Sequence, residues 1–154
     1  MKMSPQYRKA QDNMQPGVIT ADGFLGDDTR NIVDIIEADE EKFSQLDLEF
    51  ETVIARLRYL IEQGRKGLGE PVSVDGRWIV TTNEARGHMV SPFEDGVFRK
   101  INARIEHAPG GKADGKELLV TELSLHLMEK HHFLQGRGAS FRLDPENVKT
   151  VLEM

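Results

Sequence analysis

The clearest pattern in the chain is one apolar stripe. Phe50, Val53, Ile54, Leu57, Leu60 and Ile61 recur at offsets of 3, 4, 7, 10 and 11 from the first, the spacing that lines one face of an α-helix. Gly64 follows as a C-terminal stop, so the pattern predicts a helix over 49–63. Ile32, Ile35 and Ile36 show the same spacing more briefly after Asp27 and Asp28. Either aspartate can accept from the free N–H groups of a first turn, and a helix over about 28–38 follows. The acidic stretch ADEEKFSQLDL then predicts a short helix or turn buried through Phe43 and Leu46.

Beyond residue 70 the period falls from 3.6 to two. PVSVDGRWIVTT sets Asp75-Gly76 between two β-prone runs. That pair supplies the positive φ angles a tight hairpin turn needs, and it predicts a hairpin over 71–82. VFRKINARIEH alternates, with Val97, Ile101, Ala103 and Ile105 on one face, and predicts a strand over 97–107. PGGKADG reads as a flexible turn, LLV as a short strand, and residues 121–133 as a helix N-capped by Thr121. GASFRL reads as a short strand. Asp144-Pro145 opens a last helix, with Asp as cap and Pro at its first position. Residues 1–16 are polar, aperiodic and carry Pro5 and Pro16, which predicts a flexible tail. The expected architecture is therefore one α+β domain over 17–154: N-terminal helices, a small antiparallel sheet with its hairpin at 71–82, then helix–strand–helix. Residues 20–83 and 84–154 would be its two sub-units.

Residues 46–64, LDLEFETVIARLRYLIEQG, followed by the hairpin SVDGRWIVT, resemble the turn, recognition helix and wing of winged helix-turn-helix proteins over 43–83. The resemblance implies that Leu46 and Leu48 seat the turn and that Val53, Leu57 and Leu60 face the core. Arg56 and Tyr59 would point outward as the nucleic-acid contacts of a DNA-binding regulator. Charge works against that function. Residues 20–63 hold twelve acidic residues against Arg30, Lys42, Arg56 and Arg58, whereas DNA affinity rests largely on phosphate neutralisation by Lys and Arg. Nucleic acid is therefore not the expected partner.

Composition narrows the address. No run approaches the ~18 apolar residues of a membrane span. Residues 1–16 lack the apolar core of a signal peptide, and the chain has no cysteine. We expect a soluble cytoplasmic protein with no disulfide, no thiolate nucleophile and no cysteine-bound zinc.

The candidate chemistry lies in LHLMEKHHFLQGRG, which holds three of the five histidines. On a helix at about 100° per residue, Glu122, His126 and Glu129 share a face that His132 borders. His131 falls toward the apolar side with Val120, Leu123 and Leu127. Histidine and carboxylate are ligands for zinc, iron or manganese, so Glu122, His126, Glu129 and His132 are the candidate metal ligands, the remainder to come from His88, His107 or a second subunit. The bland alternative is a helix end whose Lys130, His131 and His132 complement the helix dipole. GRGAS, between Arg137 and Arg142, reads as a turn and lacks the phosphate-loop pattern. Glu94 and Asp95, in a glycine-bounded loop, read as turn formers.

With no complete catalytic constellation in view, the first expectation is a non-catalytic binding or regulatory protein acting on itself or on a protein partner. Self-association is suggested by the length of the stripe on 49–63. The competing expectation is a metal-dependent hydrolytic enzyme built on His126, Glu129 and His132 with a divalent cofactor.

Overall fold

The computed structural model describes residues 3–111, 113 and 115–154. Helices α1 (Pro5–Asn13), α2 (Ile32–Gln45) and α3 (Phe50–Arg65) come first. Strands β1 (Val72–Val74), β2 (Trp78–Val90), β3 (Val97–His107) and β4 (Glu117–Thr121) follow, and helices α4 (Glu122–His131) and α5 (Pro145–Leu152) close the chain. The strands form one antiparallel meander in the order β1-β2-β3-β4. The α+β class and its element order are those expected. Part of the turn PGGKADG falls on residues 112 and 114, outside the described residues.

Two apolar clusters organise these elements. The larger lies between α3, α5 and one face of the sheet, where Val53, Leu57 and Leu60 meet Trp78, Val80 and Ile105, all at most 1% exposed. The smaller joins Met14, Phe24, Ile32, Ile35, Leu127 and Phe133. Helix α4 serves both, with Leu125 and Met128 in the first cluster and Leu123 and Leu127 in the second. The stripe on α3 is thus covered within the chain itself, apart from the half-buried Phe50.

Most elements form for the reasons read from their residues. The hairpin turn holds Asp75 and Gly76 at φ 54° and 67°, and the Arg77 N–H donates to the Val74 carbonyl at 3.0 Å. Thr121 caps α4 in a reciprocal box: its hydroxyl accepts from the Ser124 N–H (2.9 Å), and the Ser124 hydroxyl accepts from the Thr121 N–H (3.2 Å). Asp144 caps α5 ahead of Pro145. Over GASFRL, where a short strand was expected, the Leu143 N–H donates to Leu134 O at 3.2 Å and the chain otherwise turns.

Four expectations need correction. The tail expected over 1–16 is, in its described residues 3–16, largely a helix. Ser4 caps α1, Pro5 stands at its first position, and Ala10 and Met14 are buried in the smaller cluster. Helix α2 is longer than expected and takes in the acidic stretch, because Asp39 and Phe43 turn inward. Its cap is Asn31, which accepts from the Asp34 N–H at 2.9 Å, and not Asp27 or Asp28. Asp28 instead holds Arg30 at 2.6 Å with a side chain only 2% exposed. The Arg30 hydrogen bond outweighs the opposing push of burial and keeps this carboxyl well below the usual carboxylate range.

The fourth concerns Gly64, which does not end α3. It lies buried inside the helix, and a Cβ there would sit 2.4 Å from Val80 Cγ1. The glycine lets α3 approach β2. Gly64→Ala is expected to lose about 1–2 kcal/mol in urea denaturation through overpacking, despite the ~1 kcal/mol Ala ordinarily gains over Gly in a helix. Val80→Ala in the same chain should recover part of the loss. A Gly64→Ala protein as stable as the parent would show that this contact is not tight.

The distal half of the sheet is a ribbon. β1 pairs only with residues 78–80 of β2, and β4 only with residues 102–106 of β3. Beyond these, β2 and β3 continue together as far as the pair Val90–Val97. A bulge interrupts them: Ala85 faces Lys100 and His88 faces Arg99, leaving Arg86 and Gly87 without partners opposite. Gly87 takes the positive φ (90°) that this kink requires. Among the described residues no helix is long and apolar enough to cross a membrane.

Candidate metal centre

The ribbon ends in Ser91-Pro92-Phe93-Glu94-Asp95-Gly96, and this loop comes to rest against the last turn of α4. The Ser91 N–H donates to Gly96 O (3.0 Å) and the Glu94 N–H to Ser91 O (2.9 Å), closing the loop on itself. Phe93 then stacks on the His131 ring, with centroids 3.7 Å apart and planes 8° from parallel. It also meets Tyr7 and Phe133 edge-on. Asn13 of α1 donates to Pro92 O at 2.9 Å. Helix α1 and the end of α4 therefore fix where Asp95 points.

Asp95 points between two histidines. His131 Nε2 lies 2.7 Å from Oδ2, and His126 Nε2 lies 2.9 Å from Oδ1. The two rings stand edge to face, 5.9 Å apart, and Phe98 covers the His126 ring at 4.4 Å. One ligand atom from each of the three residues lies within 4.8 Å of the other two. The two histidine contacts differ in quality. His131 makes a directed hydrogen bond to the carboxylate. The His126 contact is short but outside the directional range of a hydrogen bond, and its Nε2 is buried with no other partner. We give the direction more weight than the distance, because hydrogen-bond energy falls steeply with bending. His126 Nε2 is thus a buried polar atom in want of a partner.

Burial pushes the Asp95 carboxyl up, but hydrogen bonds from Ser91 and His131 and the nearby His126 imidazole outweigh it and leave the group well below the usual carboxylate range. The ligand most able to carry negative charge is therefore ionised at any physiological pH.

The four residues expected as ligands from the face of α4 are placed differently. Only His126 belongs to the converging group. Glu129 accepts two bonds from Arg58 (2.8 and 3.1 Å), and the guanidinium holds it below its ordinary range. Glu122 accepts from Arg99 at 3.1 Å. His132 caps α4 in the left-handed conformation (φ 51°), stacks on Phe50 at 3.9 Å and meets Glu40 at 2.7 Å. His107 pairs with Glu153 at 3.0 Å, and His88 lies exposed on the ribbon opposite Arg99. The residue from elsewhere that meets α4 is Asp95, which its sequence context explained as a turn former. His131, assigned to the apolar side, does stack there on Phe93, yet its Nε2 still reaches Asp95.

The residues carried by the winged-helix resemblance have internal partners. Arg56 donates to the Leu152 carbonyl at 3.3 Å and lies over Trp78, 5.2 Å from the ring centroid. The Tyr59 hydroxyl donates to Asp75 at 2.9 Å, tying α3 to the turn of the β1–β2 hairpin. The glycines of GRGAS serve a clasp and not an anion cradle. The Gly136 N–H donates to Phe24 O (2.9 Å), the Asp27 N–H donates to Arg137 O (2.7 Å), and a Cβ on Gly136 would lie 2.2 Å from Leu25 O.

Besides a cleft of about 270 Å³ that meets His131 beside Glu37 and Glu40, two clefts open near the triad. One, of about 320 Å³, touches His126 and is rimmed by Arg58, Arg65 and Arg99. The other, of about 370 Å³, lies between α1 and the 91–96 loop and touches both Asp95 and His131. A larger cleft of about 580 Å³ runs over the open face of the sheet, bounded by Phe24, Met89, Lys100 and Phe141. No protein-family model, no curated protein and no solved structure matches the chain.

Proposed function

We propose that this is a protein that binds a divalent transition metal through Asp95, His126 and His131. The observation that supports the reading most is the buried Nε2 of His126, which lacks a directed partner beside an ionised carboxylate and a second imidazole. Two imidazoles and one carboxylate suit zinc, iron(II) or manganese(II) better than calcium or magnesium, which prefer all-oxygen shells. Bond lengths of about 2.0–2.2 Å would separate ligand atoms by roughly 3.3 Å in a tetrahedral site. The present separations of 2.7 and 2.9 Å run to the two different oxygens of Asp95, and the three ligand atoms lie within 4.8 Å of one another, so the loop and the imidazoles would readjust around an ion. Three protein ligands leave a coordination position for water or another molecule.

Elemental analysis of tag-free protein dialysed against zinc tests the reading. The parent chain is expected to retain one zinc per chain. His126→Ala, His131→Ala and Asp95→Ala should each weaken binding by more than about 100-fold, since losing even an outer partner of a metal site costs 10–100-fold. Glu129→Gln and His132→Asn should retain the ion, which separates this triad from a set along the face of α4. Zinc lost from the Glu129 or His132 variants but kept by Asp95→Ala would reverse the assignment.

A further inference from the structure

We propose that the cleft between α1 and the 91–96 loop takes a small oxyanion, a carboxylate or a phosphate, at the open position of the metal held by Asp95, His126 and His131. The proposal rests on the metal-binding reading and adds a ligand to it.

The cleft is the one that reaches two of the three metal ligands, Asp95 and His131, and its wall also includes Gln6, Tyr7, Lys9, Phe93 and Glu94. Its charge favours an anion. A divalent ion bound by one carboxylate and two neutral imidazoles keeps one positive charge, and the local charge of a bound ion dominates such a site. Around it, Lys9 and Glu94 cancel. They form an ion pair at 3.3 Å whose side chains are 66% and 55% exposed, and a pair so exposed holds its partners weakly. Lys9 can therefore leave Glu94 for a ligand oxygen at small cost. Gln6 adds amide donors on the same wall. Both residues belong to α1, which Ser4 caps at one end and Asn13 pins to Pro92 at the other.

The neighbouring cleft at His126 is the obvious rival, because it holds three arginines. Each already has a carboxylate: Arg58 with Glu129, Arg65 with Glu84, and Arg99 with Glu122. An anion entering there would have to displace a glutamate from a formed pair. The one such pair at the cleft of Asp95 and His131, Lys9 with Glu94, is longer and more exposed than any of these three. The volume of about 370 Å³ limits the occupant to a small molecule.

Cobalt(II) makes the test direct, since its visible bands report changes in coordination. Cobalt-loaded protein would be titrated with inorganic phosphate and, separately, with acetate, followed by absorbance and calorimetry. We expect at least one to bind the loaded protein with a change in the cobalt bands, and neither to bind the metal-free protein. Lys9→Ala, an exposed position outside the metal shell, should weaken the anion by about tenfold, the scale of one charge-assisted hydrogen bond, with unchanged cobalt stoichiometry. Arg65→Ala, in the rival cleft, should have no effect. The two arms separate phosphate from carboxylate as the preferred chemistry. If cobalt binds stoichiometrically and neither anion perturbs its bands, the oxyanion site is wrong and the metal reading stands. Unchanged anion affinity in Lys9→Ala would overturn the oxyanion site in the same way. If cobalt itself does not bind, both readings fall.

Discussion

Arg142→Ala is expected to cost about 3–5 kcal/mol, the range for removing one partner of a buried ion pair. The guanidinium donates to both oxygens of Asp39, each at 2.9 Å, and to the Gln135 carbonyl at 2.7 Å. The two side chains are only 12% and 6% exposed. Without Arg142 the Asp39 carboxylate remains inside α2 with no cation bonded to it. The pair also joins elements 103 residues apart in sequence, so its loss should loosen the packing of the 135–143 segment on α2. For a chain of this length the loss amounts to roughly 10 °C in thermal unfolding. Replacing both partners, as in Arg142→Met with Asp39→Leu, should restore most of the stability, because the larger part of the cost is the orphaned charge and not the missing attraction. A melting temperature within a degree or two for Arg142→Ala alone would mean that Asp39 finds water or another donor.

Trp78→Ala should be comparably severe, about 3–5 kcal/mol for an aromatic removed from a packed core. Trp78 is 1% exposed and opens β2, where the sheet meets α5. Its indole N–H donates to the Val151 carbonyl at 2.7 Å, and Arg56 and Arg77 flank the ring at 5.2 and 5.8 Å. Trp78→Phe separates the contributions. It keeps most of the apolar body and leaves the Val151 carbonyl unpaired, which is expected to cost about 1–3 kcal/mol. Denaturation followed by circular dichroism checks both variants, since Trp78 is the only tryptophan and its fluorescence disappears with it. Equal losses for the two would place the whole effect in the hydrogen bond.

Much of the fold was legible because it depends on local pattern. The stripe from Phe50 to Ile61, the alternation from 97 to 107, the Asp75-Gly76 turn and the caps at Thr121 and Asp144 each need only their neighbours to make sense. What misled were residues whose role is tertiary. Gly64 looks like a helix stop and is a close approach to Val80. Asp28 looks like a cap and is committed to Arg30, while Asn31 takes the cap. Helix α1 has a polar sequence, and only docking through Ala10 and Met14 shows why it is ordered.

The candidate site was half legible. The histidines stood out, but His126 and His131 are five residues apart, which on an ideal helix separates their directions by about 140°. Helical geometry alone therefore sorted them onto different faces. They converge because a carboxylate arrives between them from a loop more than thirty residues upstream. The glutamates that seemed to complete the set were claimed by Arg58 and Arg99, partners on α3 and β3 that no spacing rule along α4 can reveal.

The bulge at Arg86 and Gly87 has a consequence for how this protein can change. The core is built by the proximal half of the sheet, whereas Asp95 rides at the far end of the ribbon. Register past the bulge sets where the loop lands. One residue inserted or deleted between 88 and 94 would shift the register of the distal ribbon and carry Asp95 away from both histidines, while the proximal pairing of 78–85 with 100–107 still holds the packed face of the sheet. Folding and the assembly of the triad are thus modular here: the ribbon is a length-calibrated arm, and its reach can change without remaking the body that carries it.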